Sequence, residues 1–135
     1  MNIAPRRLEL SLLPGRFAIS KLPPDAHLPV WAARGSFYSV TRTRDELSII
    51  VEEAHVPAGT QSQFGWRVLR VHGPFVLSEV GVLASLTAPL ADGRVSVFVV
   101  STFDTDYLLV TEEQVTSAIA ALDRAGHSIH GSEHE

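Results

Sequence analysis

The chain has 135 residues, no cysteine and a net charge of −4. That length suits one ordinary domain or two very small ones. The missing thiols exclude disulfides, thiolate catalysis and cysteine-held zinc or iron–sulfur centres. The negative balance, with no basic run longer than Arg6–Arg7, argues against a nucleic-acid partner. A composition of 45% hydrophobic and 19% charged residues is that of a folded chain rather than a disordered one. No apolar run approaches the roughly 18 residues a membrane helix needs. The opening "MNIAPRRLELSLLPG" carries Glu9, and its apolar part is too short and broken for a signal peptide. A soluble, cytoplasmic protein with no membrane contact and no cofactor is expected.

The first half reads as strands. "RLELSLLPGRFAISKL" holds two short alternating segments around Pro14–Gly15. "LPPDAHLP" follows, and Pro23, Pro24 and Pro29 forbid a continuous helix. "VWAARG" has room for one short helical turn. "SFYSVTRT" and "ELSIIVEE" form a hairpin around the polar turn Arg44–Asp45. "HVPAGTQSQ" is a loop or stunted helix and marks the boundary between two halves.

The second half is more regular. "GWRVLRVHGPF" alternates Trp66 and Val68 with Arg67 and Arg70 and reads as a strand. "SEVGVLASLTAPLAD" is helical, with Val80, Leu83, Thr87 and Leu90 on one stripe and Val82 and Leu86 on a second. Two apolar stripes predict burial on two sides, by a sheet and by another subunit. Pro89 is expected to kink or end this helix. "RVSVFVVST" is too apolar for a wet face and is expected at the centre of a sheet, with "DYLLVT" as its hairpin partner. In "TEEQVTSAIAALDRAG", Thr111 and Gln114 have capping-box spacing. Val115, Ala118, Ile119 and Leu122 form one apolar face, and Gly126 marks the stop. The order from Trp66 is strand, helix, strand, strand, helix. A closing strand would complete an α+β, ferredoxin-like βαββαβ unit. The first half repeats that order weakly. Three segments are therefore expected: a degenerate unit over 1–62, a complete one over 63–128, and a flexible polar tail over 129–135.

"SEVGVLASLTAPLA" followed by "VSVFVVSTFDTDYLLV" resembles the ACT domain, a small amino-acid-sensing βαββαβ module. Gly81 just inside the helix, Leu83–Ala84 after it, and the hairpin "STFDTDYLLV" are similar to one branch in particular. That branch comprises short bacterial proteins with two ACT-like units in one chain, related to the ACT domains of CASTOR-type arginine sensors. "LPPDAHLPVWA", "FYSVTRTRDELSIIV" and "GWRVLRVHGPF" fit the same pattern, so the resemblance covers nearly the whole chain. In "LADGRVSVF" the sequence departs from it, with Gly93–Arg94 where a glycine directly before the strand is expected. The resemblance implies a ligand between the first strand–helix loop of one unit and the second strand of a neighbour. Carried over by position, this names Ser78, Glu79, Val80, Gly81 and Val82 on one side and Ser101, Thr102, Phe103 and Asp104 on the other. The location suits an amino acid, because a helix start offers free N–H groups to a carboxylate. A nearby acid suits the ammonium.

Plainer roles compete for the same residues. Asp104 and Asp106 can serve the turn by accepting backbone N–H bonds. Glu79 can complement the helix dipole, and it would repel a carboxylate. Ser78 is a natural N-cap, and Gly81 can serve close packing. Trp31, Phe37, Tyr38 and Trp66 are expected in packing. His127, His130 and His134 belong to a solvated tail, and no metal site is expected. No Ser, His and Asp fall into a nucleophile motif. The function expected is therefore non-enzymatic: a regulatory protein, working as a homodimer, that binds a small molecule of the amino-acid class. The alternative is an oligomerisation or interaction module without a ligand. A small enzyme on the same scaffold ranks last.

Overall fold

The computed structural model describes residues 7–75 and 80–131. It divides into two compact units. One takes the chain up to Pro14 together with everything from Arg67 onward; the other takes Gly15–Trp66. The sequence reading divided the chain after residue 62 instead. Among the described residues no helix is long and apolar enough to cross a membrane.

In the Gly15–Trp66 unit, strands β2 (Phe17–Leu22), β3 (Ser39–Arg42), β4 (Leu47–Glu52) and the beginning of β5 (Ser62–Val71) make an antiparallel sheet in the order β3-β4-β2-β5. Where an ACT-like unit would have its first helix, the three prolines leave only a 3₁₀ turn over Val30–Ala33. Ala32 of that turn is buried against Leu47, Ile49 and Val51, every second residue of β4. The proline loop is closed by Arg42, whose guanidinium donates to the carbonyls of Pro24 and Ala26. The β3–β4 turn is held by Thr43, whose Oγ1 accepts from Asp45 N–H at 3.1 Å and Glu46 N–H at 3.2 Å. Phe37 and Trp66 are buried as expected, and Phe37 meets Phe17 edge-on at 5.7 Å. Tyr38 is half exposed.

The other unit is a ferredoxin-like ACT fold with one strand added. β1 (Glu9–Leu12) lies antiparallel to the end of β5 and parallel to β8 (Ser128–His130). β7 (Asp106–Thr111) pairs with β5 and with β6 (Phe98–Ser101). The order is β8-β1-β5-β7-β6. The alternate residues Leu8 and Leu10, Leu69 and Val71, and Leu108 and Val110 face α1 (Val82–Asp92) and α2 (Val115–Arg124) in one core. One expectation fails. β6 is an edge strand that pairs with β7 alone among the described strands, because β5, between β1 and β7, fills the centre. The buried stripe of α1 is Val82, Leu86 and Leu90, while Val80 is 68% and Leu83 37% exposed. Both stripes satisfy helical spacing, and only the packing partner selects between them. β8 runs through His130, two residues into the stretch expected to fray.

Pro89 neither ends nor breaks α1. A proline there withdraws the N–H that would bond Ser85 O. His127 replaces it: Leu8 N–H donates to its Nδ1 at 3.0 Å, so the ring hydrogen sits on Nε2, 2.8 Å from Ser85 O. His127 is therefore a buried cross-link, not a tail residue. The expected capping box at Thr111 does not form. A 3₁₀ turn, Glu112–Gln114, precedes α2. The Gln114 amide instead accepts from Ser96 N–H at 3.2 Å and donates to Arg94 O at 3.3 Å, fastening the loop before β6. α2 stops as expected: Gly126 N–H bonds Asp123 O at 2.9 Å and His127 N–H bonds Leu122 O at 3.1 Å, a Schellman ending.

Candidate functional site

β6 and β7 pair from Phe98↔Leu109 to Ser101↔Asp106. The connection between them closes on itself. Thr102 N–H bonds Thr105 O at 2.8 Å, and Thr102 Oγ1 accepts from Thr105 N–H at 3.3 Å. Ser101 Oγ–H donates to Asp106 Oδ1 at 2.6 Å. Asp106 thus ties the two strands together through a side-chain hydroxyl rather than through the backbone N–H expected of a turn acid. The Asp104 carboxylate makes no hydrogen bond among the described residues, and its backbone oxygen accepts from Phe75 N–H at 2.7 Å. Phe103, at the hairpin tip, is 78% exposed.

The opposite wall is the start of α1. Gly81 holds the N-cap position at φ +88°, a conformation that side-chain-bearing residues rarely adopt. The first intrahelical bond runs from Ser85 N–H to Gly81 O at 3.0 Å. The N–H groups of Val82, Leu83 and Ala84 therefore have no acceptor within the helix.

The two walls enclose a cleft of about 340 Å³, lined by Phe75, Gly81–Ala84 and Ser101–Asp106. Of the nine residues named from the sequence, Gly81, Val82, Ser101, Thr102, Phe103 and Asp104 lie on it. Val80 is described but does not line it. Ser78 and Glu79 fall outside the described residues. Phe75, Leu83, Ala84, Thr105 and Asp106 join the lining without having been singled out for ligand contact. Leu83 and Ala84 carried a signal, since they follow Gly81 in the helix start; Phe75 carried none. Both walls belong to one unit rather than to two neighbours. Among the described lining residues, the charged side chains are Asp104 and Asp106. N–H donors with no acceptor within the helix, across from carboxylates, can receive a molecule with an anionic end and a cationic end.

A second polar group escaped the sequence reading. Ser11 Oγ lies 2.6 Å from His72 Nε2, His72 stacks on His130 with centroids 5.6 Å apart, and His130 Nε2 lies 2.9 Å from Glu9 Oε1. Their positions, 9, 11, 72 and 130, show no local motif. Ser11 is 4% exposed, and none of the four lines the cleft. No set of three metal-ligating side chains comes together among the described residues.

Comparison with known proteins adds to this geometry. The family model described as "ACT domain" matches residues 61–124, and a second model, of an N-terminal domain, matches residues 15–59. The "Cytosolic arginine sensor for mTORC1 subunit 1" of Rattus norvegicus is 33% identical over 102 residues. The match takes in 68% of this chain and 31% of that protein, so the chain spans under a third of its relative's length. A crystal structure of an Agrobacterium tumefaciens protein is 37% identical, with a TM-score of 0.91, covering 96% of this chain and 97% of its own. The regulatory subunit of aspartate kinase from Thermus thermophilus superposes with a TM-score of 0.61 at 12% identity, over 86% of this chain and 95% of its own. That last likeness is one of fold.

Proposed function

We propose, from the premise that this chain belongs to the ACT-domain family and is related to the arginine sensors of the CASTOR type, that it is a non-catalytic regulatory protein binding an amino acid in the cleft between Gly81–Ala84 and Ser101–Asp106. The observation that carries the reading is the pairing of opposite chemistries across about 340 Å³. The α-carboxylate takes the free N–H groups of Val82, Leu83 and Ala84. The ammonium, or a basic side chain, takes Asp104. Ser78, Glu79 and Val80, which precede Gly81 in sequence, complete the set of proposed contacts. Arginine is the first ligand to test, given the name of the relatives. No cofactor or metal enters. The protein works in the cytoplasm, without nucleic acid or membrane, and passes the bound state to a protein partner as a homodimer.

A thermal-shift panel of the twenty L-amino acids at millimolar concentration tests it. At 100 times Kd a ligand stabilises by about 2.7 kcal/mol, a rise of several degrees for a domain of this size. No shift with any of the twenty contradicts the reading.

One observation favours the alternative of an interaction module without ligand. β6 presents an uncharged edge, with Phe98 38% exposed at its start. Light scattering weighs the homodimer: twice the chain mass is expected, and a monomer at every concentration removes that part.

A further inference from the structure

The chain leaving β5 touches the hairpin wall before it becomes the helix wall. Thr105 Oγ1–H donates to Val71 O at 2.6 Å, and Phe75 N–H donates to Asp104 O at 2.7 Å. Between these two bonds Gly73 passes so close that a Cβ on it would lie 2.9 Å from Asp104 O and 3.2 Å from Thr105 Cβ. Phe75 itself lines the cleft, and the same strand of chain continues to Gly81 at the helix start. The turn's internal bonds, Thr102 to Thr105, fix its shape. They do not fix where it stands relative to α1. Pairing of β7 with β5 carries the hairpin to α1, and the Val71–Phe75 strap pins its tip there.

We propose that Thr105 and Gly73 are positioning residues: the hydroxyl of one and the missing side chain of the other hold Asp104 at its station opposite the start of α1, and so set the affinity of the cleft. This rests on the amino-acid reading. An ion-pairing contact tolerates little misplacement, so releasing the turn by a fraction of an ångström weakens the hold on a cationic group without unfolding the sheet.

The test titrates the full chain calorimetrically with L-arginine, or with whichever of the twenty L-amino acids stabilises the wild type more. Thr105→Val keeps the branched shape and removes the donor; Thr105→Ser keeps the donor; Gly73→Ala wedges the strap away from Asp104. Thr105→Val and Gly73→Ala are expected to weaken binding about tenfold, and Thr105→Ser to stay within about twofold of wild type. The Phe75 amide, protected from hydrogen exchange in the wild type, should exchange faster in the two weakened variants. Ligand affinity unchanged in Thr105→Val while the Phe75 amide opens overturns the positioning role alone. A wild type that takes up none of the amino acids removes the functional reading and the positioning role together. Should Gly73→Ala fail to fold, the Thr105 pair decides.

Discussion

Arg94 occupies a backbone conformation that the sequence assigns to its neighbour. α1 ends with Arg94 N–H on Ala91 O at 3.0 Å and Val95 N–H on Leu90 O at 2.9 Å, which puts the left-handed position of the ending at Arg94, φ +60°. Gly93 has ordinary φ, and its absent Cβ matters for another reason: one placed there would lie 3.2 Å from Ala121 Cβ, where the helices meet. The departure Gly93–Arg94 thus separates two demands that a single glycine often meets. A left-handed non-glycine residue costs roughly 1–2 kcal/mol. Arg94→Gly is expected to raise stability by about 0.5–1 kcal/mol, after the added freedom of the unfolded chain is subtracted; urea denaturation reads it, and a loss of stability contradicts the assignment. Asp106 teaches a related lesson. Its role in the hairpin was legible, whereas its Ser101 partner and the different standing of Asp104 were not, since two acids flanking Thr105 look alike in a string.

At the scale of elements, Pro89 and His127 form one device. Each alone misleads: the proline reads as a helix end, the histidine as part of a polar tail. Together they keep α1 intact, because Nε2–H of His127 bonds the carbonyl that Pro89 orphans, and Leu8 N–H anchors the same ring to β1. His127→Ala leaves two buried groups unsatisfied and should destabilise by about 2–4 kcal/mol. Pro89→Ala restores an N–H for Ser85 O, so the histidine loss should be milder by about 1 kcal/mol in that background. A double-mutant cycle by chemical denaturation measures the difference; strictly additive effects contradict the coupling. Periodicity could not disclose this pair, since it reports which face of an element is apolar and never which distant group completes its hydrogen bonds. The same limit explains β6. Its apolar run reads as central, but the place of a strand in a sheet depends on who pairs with it, and β5 takes the central position between β1 and β7.

For the whole molecule, the fold was legible where local signals agreed with one another. The β3–β4 and β6–β7 hairpins, the Gly126 ending and the βαββαβ order all followed from turn residues and spacing. The division of the chain was harder to see. Glu9–Leu12 looks like the partner of Phe17–Leu22 across Pro14–Gly15, yet it packs with the unit that begins at Arg67. The cleft was reached through the resemblance at Gly81 and at Ser101–Asp104; composition alone offered no site. What makes it a candidate is physical: N–H groups without an acceptor in the helix on one wall, carboxylates on the other, and no cationic side chain among the described lining residues.

The most direct test maps the ligand onto the chain. In amide chemical-shift titrations with L-arginine or the best of the amino-acid panel, the account predicts saturable shifts concentrated at Gly81–Ala84 and Ser101–Asp106, abolished or strongly weakened in Asp104→Asn. Saturable binding that leaves those amides still while moving others, or that ignores Asp104→Asn, would contradict it.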